Sequence, residues 1–297
     1  MTIYSCQNYI IGGVYMHKIY LHLEKGGTGK SISVYHLSCM LGELFNKRVL
    51  VVDLDAQKNV SFLFGVDGDE IVSNGGCSIA HCLAKDLNLD RERRSIKDCI
   101  IKDVSPNVDL AVSSSNIVQA EISILSEMFN KDLLLANALK EVEEEYDYVF
   151  IDTHSTYDQI FINAIRACDL VIPTMKTDFQ NLQNFTQTMN NLEAMAKQGV
   201  NPDIGGVLTT VFEWNTIQSK QCIQYLYDNG YSVWGCVKKQ VAVQDSVMCN
   251  MPIHKYAPTS QGTLGYLGTV HNILNHYGED FKIPMDNTKF KKEKRTK

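Results

Sequence analysis

The seven residues Lys25-Gly26-Gly27-Thr28-Gly29-Lys30-Ser31 constrain this chain more than any other stretch. A short apolar run (Ile19, Leu21, Leu23) leads into them. After them Leu37, Met40, Leu41, Leu44 and Phe45 recur on one face of a helix-like pattern. Strand, glycine-rich turn and helix in that order form a phosphate cradle. The glycines permit a tight turn, so that backbone N–H groups and the helix N-terminus point at the anion. In such a cradle Lys30 reaches the β- and γ-phosphates of a nucleotide and the Ser31 hydroxyl reaches Mg²⁺. The ordinary pattern places a glycine at position 24, where this chain has Glu24. A second lysine, Lys25, opens the loop instead.

The rest of the chain supplies strands and helices in alternation. Val49–Val52, Val149–Ile151 and Leu170–Ile172 are continuous apolar runs, as expected for strands buried on both faces of a parallel sheet. Val108–Val112 and Ile204–Val211 are further strand candidates. Helical patterns run near 117–145, 157–167, 179–198, 216–229 and 259–276, and the segment 65–105 reads as loop with short helices. Repeated βα units predict an α/β fold: a doubly wound, mostly parallel sheet with helices on both faces and right-handed crossovers. In that fold ligands sit beyond the carboxyl ends of the strands, which is where Asp53, Asp55 and Asp152 fall.

The lysine-first loop resembles that of the deviant phosphate-loop ATPases, the group that includes ParA/Soj partition proteins, MinD and the nitrogenase iron protein. Two further motifs carry the resemblance toward the ParA branch: Asp53-Leu54-Asp55-Ala56-Gln57-Lys58-Asn59, and Tyr146-Asp147 followed by Asp152. It spans residues 18–276. The resemblance implies ATP and Mg²⁺ as ligands, with Gly26, Gly27, Thr28, Gly29, Lys30, Ser31 and Ile32 around the phosphates. It assigns Lys25 to the nucleotide of a second subunit and Asp55 to the attacking water. Ser31, Asp55 and Asp152 go to the metal, and Thr210, Lys239 and Gln240 to the side of the site near the adenine. It also implies a dimer formed on ATP, a ParB-like or small adaptor partner, contact with DNA of any sequence, and a cytoplasmic or nucleoid location without a membrane. The alternatives are a MinD-like positioning ATPase at a membrane and a metabolic ATP-dependent enzyme on the same fold. Ala56 stands where the family carries proline, Thr153-His154-Ser155 where it carries Pro-Pro or Ala-Pro, and Ala242 where it carries an arginine tied to DNA.

Composition adds boundaries. No apolar run approaches the roughly 18 residues that a membrane-spanning helix needs, and the nine cysteines form no C-x-x-C pair, as expected of reduced thiols in a core. Residues 1–15 read as an N-terminal extension, and a start at Met16 is expected because Ile11–Tyr15 can be encoded by a ribosome-binding sequence. An ATPase domain is expected over 16–278 and a basic, disordered tail over 279–297. Residues 281–297 hold seven Lys/Arg against two acidic residues, a net +5 on a chain whose total is −6. If this tail is a DNA arm that meets about five phosphates, log K falls with log salt at a slope near −4 to −5, from about −0.9 per contact. Deleting 281–297 is then expected to flatten that slope in an ATP-dependent DNA-binding titration. An unchanged slope would show that the tail is no arm.

Overall fold

The computed structural model describes residues 15–85, 87 and 92–280. All of the expected extension except Tyr15, and all of the expected tail except Glu279 and Asp280, lie outside the described residues. Nine strands form one sheet: β1 (His17–His22), β2 (Val49–Asp53), β3 (Ile100–Ser105), β4 (Val108–Ala111), β5 (Tyr148–Asp152), β6 (Leu170–Lys176), β7 (Asp203–Ile204), β8 (Val207–Phe212) and β9 (Val233–Lys238). Their order is β3-β4-β2-β5-β1-β6-β8-β9, with β7 beside β6. Among these strands of the described residues every pairing is parallel except β3 with β4.

The apolar runs explain this arrangement. All five residues of β2 and of β5 are buried, and alternate side chains enter opposite layers. Tyr20, Leu50, Val52, Val149, Ile151 and Val171 face one layer, closed by Ile160, Phe161 and Ala164 of the helix Gln159–Ala167. Ile19, Leu21, Val49, Val51, Phe150 and Ile172 face the other. That layer is closed by helix α1 (Lys30–Phe45) and by Tyr266, Val270 and Ile273 of the helix Gln261–His276. The doubly wound, mostly parallel sheet expected from the sequence is the one observed. Among the described residues no helix is long and apolar enough to cross a membrane.

Three local readings change. The helical pattern over 117–145 is broken into Ile117–Leu125, Leu134–Leu139 and a short 3₁₀ turn, Lys140–Val142. The second piece starts where Asn163, from a neighbouring helix, accepts the N–H groups of Leu134 and Leu135 at 2.9 and 3.3 Å. The run 204–211 is two strands, β7 and β8. They part at Gly205-Gly206 because the Trp234 indole lies there: a Cβ on Gly206 would fall 2.0 Å from Trp234 Cδ1. β3 and β9 join the sheet from stretches that the sequence does not mark as strands.

The helix Gln261–His276 lies against β9 at glycine distance. A Cβ on Gly265 would come 2.5 Å from the Cys236 carbonyl oxygen, and one on Gly235 would come 2.1 Å from Thr269 Oγ1. Backbone cannot give way as a flexible side chain can. Gly265→Ala is therefore expected to destabilise the fold by about 2 kcal/mol through overpacking. For a domain of this size that corresponds to a melting temperature about 3–4 °C lower, and an unchanged melting curve would refute the tight contact.

Candidate functional site

The site lies at the carboxyl edge of the sheet, where β1, β2 and β5 end side by side. β1 runs into the loop, and α1 leaves it at Lys30. Gly27 and Gly29 hold φ of 71° and 91°, conformations that side chains disfavour. Gly29 is the N-cap of α1, with no side chain bonded across the cap, so the first turn directs its backbone N–H groups into the loop. The loop is fixed from beneath: Thr210 Oγ1 donates to the Thr28 carbonyl at 2.7 Å. Val211, next along β8, sits at φ 53°. For a β-branched residue that is strained by roughly 1–3 kcal/mol.

Lys30 is 7% exposed. Its Nζ donates to the carbonyls of Leu23 (3.5 Å) and Lys25 (3.2 Å) and to Ser155 Oγ (2.7 Å). Burial pulls its pKa down, and Asp152 and Asp55 oppose that shift. Lys25 is half-buried at the loop's outer end, its N–H on the Leu23 carbonyl at 2.7 Å.

The three carboxylates have different surroundings. Asp53 and Asp152 are register partners on adjacent strands. Asp53 accepts from Asp55 N, Ser61 N and Ser61 Oγ at 3.0, 3.0 and 2.7 Å, so it ties down the segment after β2. Burial raises its pKa to about 6 against those hydrogen bonds. Asp55 Oδ1 accepts from Gln57 N at 2.9 Å. Asp152 is fully buried, and neither carboxylate oxygen has a partner in good hydrogen-bond geometry, although the Ser31 hydroxyl lies near enough to act on it. Burial, and next the Asp53 carboxylate, push its pKa up to about 8, while the Ser31 hydroxyl and Lys30 draw it partly back. A buried carboxylate so poorly satisfied is costly in a dry site. A divalent cation would satisfy it, so Ser31 and Asp152 suit Mg²⁺.

The loop and all three carboxylates therefore converge, together with Thr210. Lys239 and Gln240 lie just beyond β9 with other engagements. Lys239 Nζ pairs with Glu213 at 3.0 Å, and Gln240 Oε1 accepts from Gly262 N at 2.9 Å. His154 is held by Asp158, Nε2 to Oδ2 at 3.0 Å, with the Thr156 hydroxyl on Nδ1 at 3.1 Å. Glu121 lies close to the same pair. One site residue was missed in the sequence, and another was noted there only as a departure from the family pattern. Ser155 gains its role only from the fold that brings Lys30 to it. Lys176 ends β6 with its Nζ 4.0 Å from where a Cβ on Gly27 would be, and it belongs to no motif.

The AAA domain family model, AAA_31, matches residues 16–205. The chain belongs to the ParA/MinD superfamily of P-loop ATPases. Among its relatives, an uncharacterised protein of Mycobacterium tuberculosis is 29% identical over 86% of this chain and 77% of its own length. The sporulation initiation inhibitor protein Soj of Bacillus subtilis is 27% identical over 84% of this chain and 95% of its own. The structure of a Cyanothece McdA variant in complex with ATP has the same fold, with a TM-score of 0.77 at 17% identity over 91% of this chain and all of that one.

This P-loop site sets stability against charge. Asp53→Ala strands two buried N–H groups and is expected to cost about 2–4 kcal/mol. Asp152→Asn should act in the opposite sense without Mg²⁺. A carboxyl whose pKa rises on folding favours the fold only below its unfolded value, and the stability declines as pH climbs from about 4 toward 8. In chelator, the Asp152→Asn variant is expected to melt above wild type at pH 8, with the gap closing toward pH 4. A wild type that is the more stable at pH 8 would contradict this placement of Asp152.

Proposed function

We propose that the chain is a switch ATPase that dimerises on ATP, hydrolyses it to ADP and phosphate, and serves the partitioning of a plasmid, chromosome or mobile element. The observation that carries the reading is the buried Asp152 carboxylate without a partner in good hydrogen-bond geometry, facing a glycine loop that bears Lys25 and Lys30. Family membership and the likeness to Soj support the partition role.

Phosphoryl transfer asks the protein for position and charge more than for covalent chemistry. Loop N–H groups and the first turn of α1 bind the phosphate oxygens, and Lys30 takes up charge on the leaving side. Ser31, Asp152 and Asp55 would hold Mg²⁺, which supplies further charge neutralisation. Asp55, kept in place by its bond from Gln57 N, orients the attacking water. Lys25 stands at the outer rim, where it can meet the nucleotide of a second copy: two triphosphates brought face to face repel, and a cation from each subunit offsets this. ATP then joins the dimer and hydrolysis releases it, with a ParB-like or adaptor protein as the stimulating partner. DNA of any sequence is the surface on which the dimer would sit.

Three variants test the parts separately. Lys30→Ala should lose ATP binding or turnover by a factor of about 10² or more, from removal of a charge-stabilising group. Lys25→Ala should bind ATP yet stay monomeric in light scattering, and Asp55→Ala should bind ATP and remain a dimer. Normal turnover in Lys30→Ala would refute the site, and normal dimerisation in Lys25→Ala would refute the contact across subunits.

A further inference from the structure

The loop after Asp152 carries hydroxyls at Thr153 and Ser155 where the family resemblance expects Ala-Pro or Pro-Pro, and the two are held in different ways. Thr153 is 1% exposed. Its Oγ1 donates to the His154 carbonyl at 2.8 Å, because a carbonyl can only accept. It must therefore accept from Tyr20 OH, 2.6 Å away. That uses the phenol proton, so Tyr20 OH accepts in turn from His22 Nδ1–H at 2.9 Å. The result is a one-way buried chain, His22 to Tyr20 to Thr153 to the His154 carbonyl. It begins on β1 and includes no phosphate-binding group. It also fixes His22 as the Nδ1–H tautomer.

Ser155 is half-buried, and its partner is Lys30. An ammonium has three protons, and all three are directed at protein acceptors: two carbonyls of the phosphate loop and the Ser155 hydroxyl. A phosphate oxygen that bonds to Lys30 must displace one of them. The carbonyls of Leu23 and Lys25 are part of the loop backbone, braced by the Lys25 N–H on Leu23 O. The Ser155 hydroxyl belongs to a half-buried side chain on a loop and can turn about one bond, so it is the acceptor that gives way.

We propose that Ser155 is a latch through which Lys30 transmits phosphate binding to the segment after Asp152, with Thr153 as its fixed end. Phosphate takes Ser155's place on Lys30. The segment 154–157 then loses its tie to the phosphate loop and keeps only its own anchors: Thr153 on its buried chain, and Asp158, which holds His154 and Thr156 and caps the helix Gln159–Ala167 through Phe161 N at 2.9 Å. When phosphate leaves, Ser155 returns. A proline at 155 has no hydroxyl and could not serve, so the device belongs to this chain's departure from the pattern. The proposal rests on the phosphate-loop reading above and adds a positioning residue to it.

The test uses the full chain with Mg²⁺ and ATPγS, with affinity by calorimetry and hydrogen exchange over 153–158. Ser155→Ala removes the competitor for Lys30, so ATPγS binding is expected to tighten by about tenfold or more, as for loss of one charge-assisted hydrogen bond from the free state. Its nucleotide-free exchange over 154–157 should already match that of nucleotide-bound wild type and change little on binding. Ser155→Thr keeps the hydroxyl and should restore wild-type behaviour, which separates the latch from a packing defect. Thr153→Val should leave affinity within about twofold and raise exchange with and without nucleotide, since the donor chain it breaks holds the loop in both. Unaltered affinity in Ser155→Ala with a wild-type exchange response would overturn the latch and leave the phosphate site standing. A wild type that binds no ATPγS would overturn both.

Discussion

Everything at this site depends on keeping the Lys30 ammonium charged in a place that water scarcely reaches. Burial opposes the charge, and the two loop carbonyls and the carboxylates of Asp55 and Asp152 favour it. The balance holds only if the carboxylates sit at the strand ends and the carbonyls curl back from the loop. Parallel strands β2, β1 and β5 in one register satisfy both conditions.

The fold serves that requirement by dividing labour between neighbouring carboxylates. Asp53 has three hydrogen bonds and acts as a strap for the segment that bears Asp55. Asp152, on the paired residue of the next strand, has none in good geometry. Two acids of the same type therefore differ in their part: one braces the backbone, and the other keeps its oxygens ready for a cation. Such an arrangement trades stability for readiness to bind, as strained and under-satisfied groups at functional sites commonly do.

Much of this was legible in the sequence. Continuous apolar runs located β2, β5 and β6, because a strand covered on both faces needs them, and the glycine–lysine loop located the phosphate cradle. Asp53, one of three acids that the sequence puts at strand ends, has partners that make it a brace for the segment after β2. What could not be read depends on partners distant in the chain. The break before Leu134 is written in Asn163, and the split of β7 from β8 is written in Trp234. β3 carries a half-exposed pattern without the apolar run of a central strand. Ser155 stood out in the sequence only as a departure from the family pattern, and Lys176 not at all; their places beside Lys30 and Gly27 come from the fold.

Strand β3, antiparallel to its neighbour β4, limits how copies of this protein can meet. β3 lies at the sheet's margin, where an unpaired backbone invites another strand. Its register shifts between Ile101 and Ser105, and Asp103 stands in a left-handed conformation at φ 56° with its N–H on the Asp109 carboxylate. Lys102 is drawn to Asp109, Glu145 and the Tyr146 hydroxyl. A bent, charged border offers no continuous ladder to a second chain. Growth by sheet extension is therefore blocked at β3, and of the two margins of the sheet only β9 is left to accept a strand from another chain.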